Sequence, residues 1–191
     1  MEELYISDRL VEKQSRTKIE NMKSLKLLFL VVFCFSLFSA SEHTIGKYQC
    51  SPCGLDCDKA VFDKAGKCTK CQMELVKSSS ITFKSITPNS ICAYIKSHPK
   101  TILLDVRTNE EFEGKADPDF GTLKKAINIP IQELENRISE ISRYKNQEII
   151  VYCSHSHRSP QASYLLTQNG FKDIINMSGG MSTLADKSCN K

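Results

Sequence analysis

A thiol stands at Cys153, directly after the apolar run Glu148-Ile149-Ile150-Val151-Tyr152 and at the head of Cys153-Ser154-His155-Ser156-His157-Arg158-Ser159. The thiolate is the nucleophilic form of cysteine. A loop that closes into a helix aims backbone N–H groups and the positive helix end at the sulfur, and Arg158 adds a full positive charge. Each favours the thiolate, so Cys153 is the candidate nucleophile. Arg158 is the candidate fork-shaped donor to an anionic substrate. Ser154, His155, Ser156, His157 and Ser159 complete the loop as candidate substrate contacts. Such a loop works mainly through its backbone, so His155 and His157 are as readily solvated as functional.

A second group of sulfur atoms lies earlier in the chain. Cys50-Ser51-Pro52-Cys53 and Cys68-Thr69-Lys70-Cys71 are two C-x-x-C pairs separated by 14 residues. A C-x-x-C turn points both sulfurs at one centre, and two such turns suit a tetrahedral metal site. The predicted ligands are Cys50, Cys53, Cys68 and Cys71. Cys57 is left as a fifth, exchangeable ligand or a free thiol. Met73 is a soft thioether that either packs or joins a Cu(I) site. A segment of about 30 residues buries too little to fold unaided, so it needs a metal or disulfides, and five cysteines cannot all pair. The expected cofactor is Zn or a softer heavy-metal ion.

These side chains need a scaffold. Residues 81–184 alternate strand and helix patterns, which predicts an α/β fold with a parallel sheet flanked by helices. The expected strands are Ile81–Phe83, Thr101–Val106, Ala126–Pro130, Glu148–Tyr152 and Asp173–Met177. Thr87-Pro88 opens a helix whose apolar face carries Ile91, Cys92 and Ile95, which makes Cys92 a core residue. Thr108-Asn109-Glu110-Glu111 matches a capping box. Leu134, Ile138 and Ile141 mark a further helix, and Ser159–Asn169 another that Gly170 ends. Sites in such sheets form beyond the carboxyl ends of the strands, after Asp105 and after Tyr152.

On these residues the region 81–184 resembles a single-domain rhodanese, a sulfurtransferase. The motifs are Leu103-Leu104-Asp105-Val106-Arg107 with Glu111-Phe112, then Ala126-Ile127-Asn128-Ile129-Pro130. The C-x4-R-S loop falls on Cys153, Arg158 and Ser159, and Gly179-Gly180-Met181 follows. The resemblance implies a persulfide on Cys153, with Asp105 and Arg107 as supporting residues acting through ion pairs. It implies no cofactor for this domain. C-x4-R is one residue shorter than the C-x5-R loop of related phosphatases and arsenate reductases, which disfavours a phosphate-sized substrate. Gly121-Thr122-Leu123-Lys124-Lys125 stands where the family usually shows G-H-I-P-G, and Ser156 stands where a mid-loop Gly is common. Lys124 and Lys125 either add charge at the mouth of the site or are simply solvated. Residues 47–76 resemble the short heavy-metal-binding domain of bacterial metal-export proteins through Tyr48, Cys50, Gly66, Cys68, Cys71, Met73 and Leu75. Cys53 stands there in place of the usual His.

The chain opens differently. Leu27–Phe38 is a run of 12 uncharged residues after Lys23 and Lys26, shorter than the roughly 20 a spanning helix needs. With Ser39-Ala40-Ser41 it reads as a signal peptide cleaved after Ser41, preceded by an upstream extension if Met22 is the start. Residues 1–41 are thus an address, and the membrane is met only through them. Cys34 belongs to this apolar run. The mature protein is expected to be exported, to the periplasm. Residues 77–80 form a linker, and 185–191 a tail in which Cys189 is either a free thiol or a thiol that resolves a Cys153 persulfide.

Composition agrees with a globular core: 40% hydrophobic and 25% charged residues, with a net charge of +4 and no basic stripe of the kind nucleic-acid binders carry. The expected function is an exported sulfurtransferase that moves sulfur from a small anionic donor such as thiosulfate to a thiol acceptor through Cys153, with an accessory metal-binding module. The alternative is a metal-handling or sensing protein whose rhodanese-like domain only binds.

Overall fold

The computed structural model describes residues 47–191. The segment expected to be a signal peptide, with its expected cleavage site and Cys34, lies outside the described residues. Two sheets organise the described residues. The first is small and antiparallel, with β1 (Tyr48–Cys50) between β2 (Val61–Phe62) and β3 (Leu75–Lys77). Cys50 pairs with Leu75, which brings the first C-x-x-C segment beside the second.

The second sheet has five parallel strands. In chain order its elements are β4 (Lys84–Ile86), α1 (Pro88–Ser97), β5 (Ile102–Asp105), α2 (Asn109–Phe112), β6 (Ile127–Asn128), α3 (Ile131–Arg137), β7 (Glu148–Tyr152), α4 (Arg158–Gln168) and β8 (Asp173–Met177). The strand order is β4-β8-β7-β5-β6. The α/β fold with a parallel sheet between helices is therefore as the alternating pattern predicts.

Side chains on β7 alternate between two cores, because successive residues of a strand point to opposite faces. Ile149 and Val151 join Leu104, Leu134, Leu166 and Ile174 on one face. Ile150 and Tyr152 join Ile91, Leu103, Leu123 and Met177 on the other. With both faces covered, β7 is apolar along its length, as parallel central strands are. Each fully buried Ile or Leu here contributes about 1.5–3 kcal/mol of burial energy.

Element boundaries differ from expectation in places. The first parallel strand is Lys84–Ile86 and not Ile81–Phe83, because the edge strand pairs where it meets β8, Lys84 opposite Ile175. Phe83 instead packs onto the core from the preceding irregular segment. Lys77–Ser80, read as a linker, is the end of β3 followed by a 3-10 turn. Pro130, which lacks an amide hydrogen, follows a β6 shortened to two residues. The helix of Leu134, Ile138 and Ile141 tightens into a 3-10 turn from Ile138. Gly170 follows α4 with φ of +83°.

The tail is the main correction. Cys189 is not free: it forms a disulfide with Cys92, the residue read only as core, across 97 residues of sequence. Helix α1 turns Cys92 inward, and residues 187–191 fold back beside it. Lys124 N donates to Cys189 O (2.9 Å), and Lys191 N donates to Thr122 O (2.8 Å). The pairing joins distant parts of the chain, and no local spacing signals it. Among the described residues no helix is long and apolar enough to cross a membrane.

Candidate functional site

Cys153 directly follows β7 at the carboxyl edge of the sheet and is 1% exposed. Its thiol donates to Ser159 Oγ at 3.4 Å, so the first turn of α4 reaches back to the sulfur. Ser154–His157 bend between strand and helix. The turn after β8 holds this bend from beneath: Met181 N donates to Cys153 O (2.9 Å) and Ser182 N to Ser154 O (3.0 Å). Gly180, at φ of +69°, sits so close that a Cβ would lie 2.3 Å from Ser154 O. Only glycine combines that approach with that backbone angle. Ser156 itself has φ of +65°, where the family's usual residue is Gly, so the loop carries local backbone strain.

Arg158 is held in a way the sequence did not reveal. Its guanidinium donates to both carboxylate oxygens of Glu111 (2.6 and 2.7 Å) and to Ser154 Oγ (3.1 Å). Ser154 Oγ in turn donates to Glu111 (2.7 Å). Glu111 also closes the predicted capping box with Thr108. Arg158 beside it, with the Ser154 and Thr108 hydrogen bonds, holds its carboxyl down at about 2 against burial. The Arg158 fork therefore faces Glu111 and not open solvent. Glu111 was legible as a cap, and its link to Arg158 required the fold.

Asp105 and Arg107, expected as a supporting ion pair, are both fully buried and 2.7 Å apart. Arg107 Nη2 also donates to Gly121 O (2.9 Å) and Thr122 Oγ (3.1 Å). The pair fixes the end of β5 to the segment that lacks the usual G-H-I-P-G motif. His155 is exposed, edge-on to Phe120 at 5.4 Å. Lys124 and Lys125 do not border the mouth of the Cys153 site. They flank a recess with Thr101, Ile102 and Tyr144, at the amino ends of the strands.

The cysteine cluster is regrouped. The sulfurs of Cys50, Cys57, Cys68 and Cys71 lie within 4.8 Å of one another, with Cys50 and Cys71 3.0 Å apart. Cys57, expected as a possible fifth ligand, is swung inward by the 3-10 turn Asp56–Lys59 and joins this group, and Cys53 Sγ lies 3.5 Å from Cys57 Sγ. Cys53 belongs to an overlapping group with Cys50, Cys57 and Asp58. Asp58 accepts from Cys53 N (3.0 and 3.1 Å), Gly54 N (2.7 Å) and the Cys53 thiol (3.0 Å). Burial pushes the Cys50, Cys53 and Cys57 thiols up, while a hydrogen bond from Cys50 draws Cys71 down to about 7. Four convergent sulfurs without a cationic side chain among them fit a soft or borderline cation. Met73 packs against the cluster.

Comparison with known proteins now bears on the sheet. The family profile for the rhodanese-like domain matches residues 92–187. The chain belongs to the rhodanese-like family. A tRNA uridine(34) hydroxylase of Nitrobacter winogradskyi is 35% identical over 88 residues, covering 44% of this chain and 32% of that protein. One from Buchnera aphidicola is 26% identical over 106 residues, covering 49% and 32%. The chain thus spans about a third of the length of these curated relatives. A rhodanese-related protein of Thermoplasma volcanium superposes with a TM-score of 0.45 at 28% identity, over 55% of this chain and 93% of that one.

Proposed function

We propose that this rhodanese-like protein is a sulfurtransferase acting through Cys153. The observation that carries the reading is a thiol at the carboxyl end of a central strand, heading a C-x4-R loop that Glu111 and Gly180 hold in place. The Cys153 thiolate attacks the outer sulfur of a donor such as thiosulfate. The donor's S–S bond breaks, sulfite leaves with the bonding pair, and Cys153 becomes a persulfide. A thiolate acceptor then attacks the outer sulfur, takes it, and returns Cys153 to the thiolate. Arg158 keeps the loop in register through Glu111 and Ser154. With its charge so balanced, attraction of the anionic donor falls to the loop amides and the start of α4.

The tRNA uridine(34) hydroxylases share only this domain-sized segment, and their name does not supply the reaction proposed here. We further propose that Cys50, Cys57, Cys68 and Cys71 hold Zn or a softer ion, supported by their convergence. When bound, the ion supplies a cross-link and a positive charge that keep the thiolates from oxidising. Export is proposed from the N-terminal pattern, and the Cys92–Cys189 disulfide suits an oxidising compartment.

Cyanolysis of thiosulfate tests the first reading. Wild type is expected to form thiocyanate and to show a +32 Da adduct on Cys153 after thiosulfate alone. Cys153→Ser is expected to reduce both to background, with the fold retained by circular dichroism. Undiminished activity in that variant would overturn the reading.

A further inference from the structure

The cysteine cluster and the Cys153 loop touch. A Cβ on Gly54 would lie 1.8 Å from Ser156 O and 3.2 Å from His157 Cα, so the knuckle backbone abuts the loop directly. One residue earlier, Cys53 O lies 3.4 Å from His157 Nδ1, the contact of a donating ring N–H. A recess between the two regions is walled by Cys50, Gly54 and Asp58 on one side and by Ser156 and Pro160 on the other.

The knuckle is itself fixed from the cluster side. Asp58 accepts from the amides of both Cys53 and Gly54, and it follows Cys57 in the same 3-10 turn. An ion that gathers Cys50 and Cys57 therefore sets the placement of Cys53-Gly54, and through it the backbone of the strained Ser156 and of His157. Without an ion, the interior of this region is cysteine sulfur with Met73 and Leu75 and little else, too little to hold the turn in one geometry.

From this contact we infer that metal binding at the cysteine cluster controls access to Cys153: the loaded knuckle braces Ser156 and His157, the part of the loop that the sheet does not itself hold, and metal loss frees them to move. The inference rests on the metal site proposed above. It makes the protein's sulfur chemistry responsive to thiophilic metal ions, with Gly54 as the positioning residue between the two sites.

The test uses the full chain loaded with Zn²⁺ and the same protein after chelation. Bound metal is counted by native mass spectrometry, and alkylation of Cys153 is followed by peptide mass spectrometry. Loaded protein is expected to label at Cys153 at least about fivefold more slowly, the lower end of two-site coupling. Amide exchange in 153–158 is expected to be slower as well. Gly54→Ala, which cannot seat against Ser156, is expected to keep one metal per chain while Cys153 labelling becomes independent of it. If Gly54→Ala loses the metal, amide exchange of the wild-type loop with and without Zn²⁺ decides the matter. Failure to bind Zn²⁺ would overturn the metal site itself. Binding with no change in Cys153 labelling or loop exchange would overturn the coupling alone.

Discussion

In the parallel sheet, Cys153 is one buried side chain among apolar neighbours such as Val151, Leu104 and Phe171. Its place is set by the strand it follows and by the hydrogen bonds that the turn after β8 donates to Cys153 O and Ser154 O. In residues 47–77 the cysteines themselves make up most of the interior, with Met73 and Leu75 packed beside them. The first region has surplus burial energy and spends backbone strain at Ser156 to shape a site. The second has no such surplus. Its three short strands need sulfur chemistry to hold together, so a cation there would be structural whatever else it does.

The largest expected effect separates the two regions. Chelation of a tightly bound ion should unfold 47–77 while the parallel sheet persists, since structural zinc in small modules supplies about 10–16 kcal/mol of apparent binding energy. Hydrogen exchange would show early loss of protection at Tyr48–Cys50 and retention at Glu148–Tyr152. A single cooperative loss of both would erase the contrast.

Substitution within the cluster sharpens it. Cys57→Ser is expected to abolish tight metal binding, whereas Cys53→Ser should keep one ion with affinity lowered about 10–100-fold, the usual cost of losing an outer partner. Competition with a chromophoric chelator measures both. Equal losses would return Cys53 to the ligand set.

The sheet has its own staple. Reducing Cys92–Cys189 is expected to lower stability by about 2–4 kcal/mol, given the long loop it closes. Denaturant titration with and without reductant reads this, and metal binding should be unaffected.

The smallest effect concerns Glu111. Its carboxyl lies at about 2 in the folded chain against 4.5 ordinarily. A depressed carboxylate stabilises fully above its unfolded value, so this contribution should hold down to about pH 4.5 and be lost as pH falls toward 2. Glu111→Gln should remove that pH dependence and cost about 1–3 kcal/mol at neutral pH by leaving the Arg158 charge short of a partner.

Much of this was legible along the chain. The apolar run at 148–152, the capping box at Thr108 and the C-x4-R spacing each rest on local chemistry that the linear order displays. Strand periodicity likewise implied a parallel sheet, because βαβ connections leave little alternative. The errors fell where partners are distant, as with Cys92 and Cys189. Spacing alone also gave no orientation for Cys57, which a 3-10 turn rotates into the sulfur group. Glu111 and Arg158 stand 47 residues apart, so a cap and a loop arginine became a pair only when β5 and β7 lay side by side.

The sequence by itself thus determined the alternation of strands and helices, the thiol that follows the central strand and the presence of a cysteine-rich unit, since each follows from residue type and short-range spacing. Tertiary structure alone decided which four sulfurs converge, that Arg158 answers to Glu111, that the tail is tied to Cys92, and that Gly54 rests on the Cys153 loop. Those are contacts between segments remote in sequence, fixed by packing and backbone direction in three dimensions, and no linear pattern encodes them.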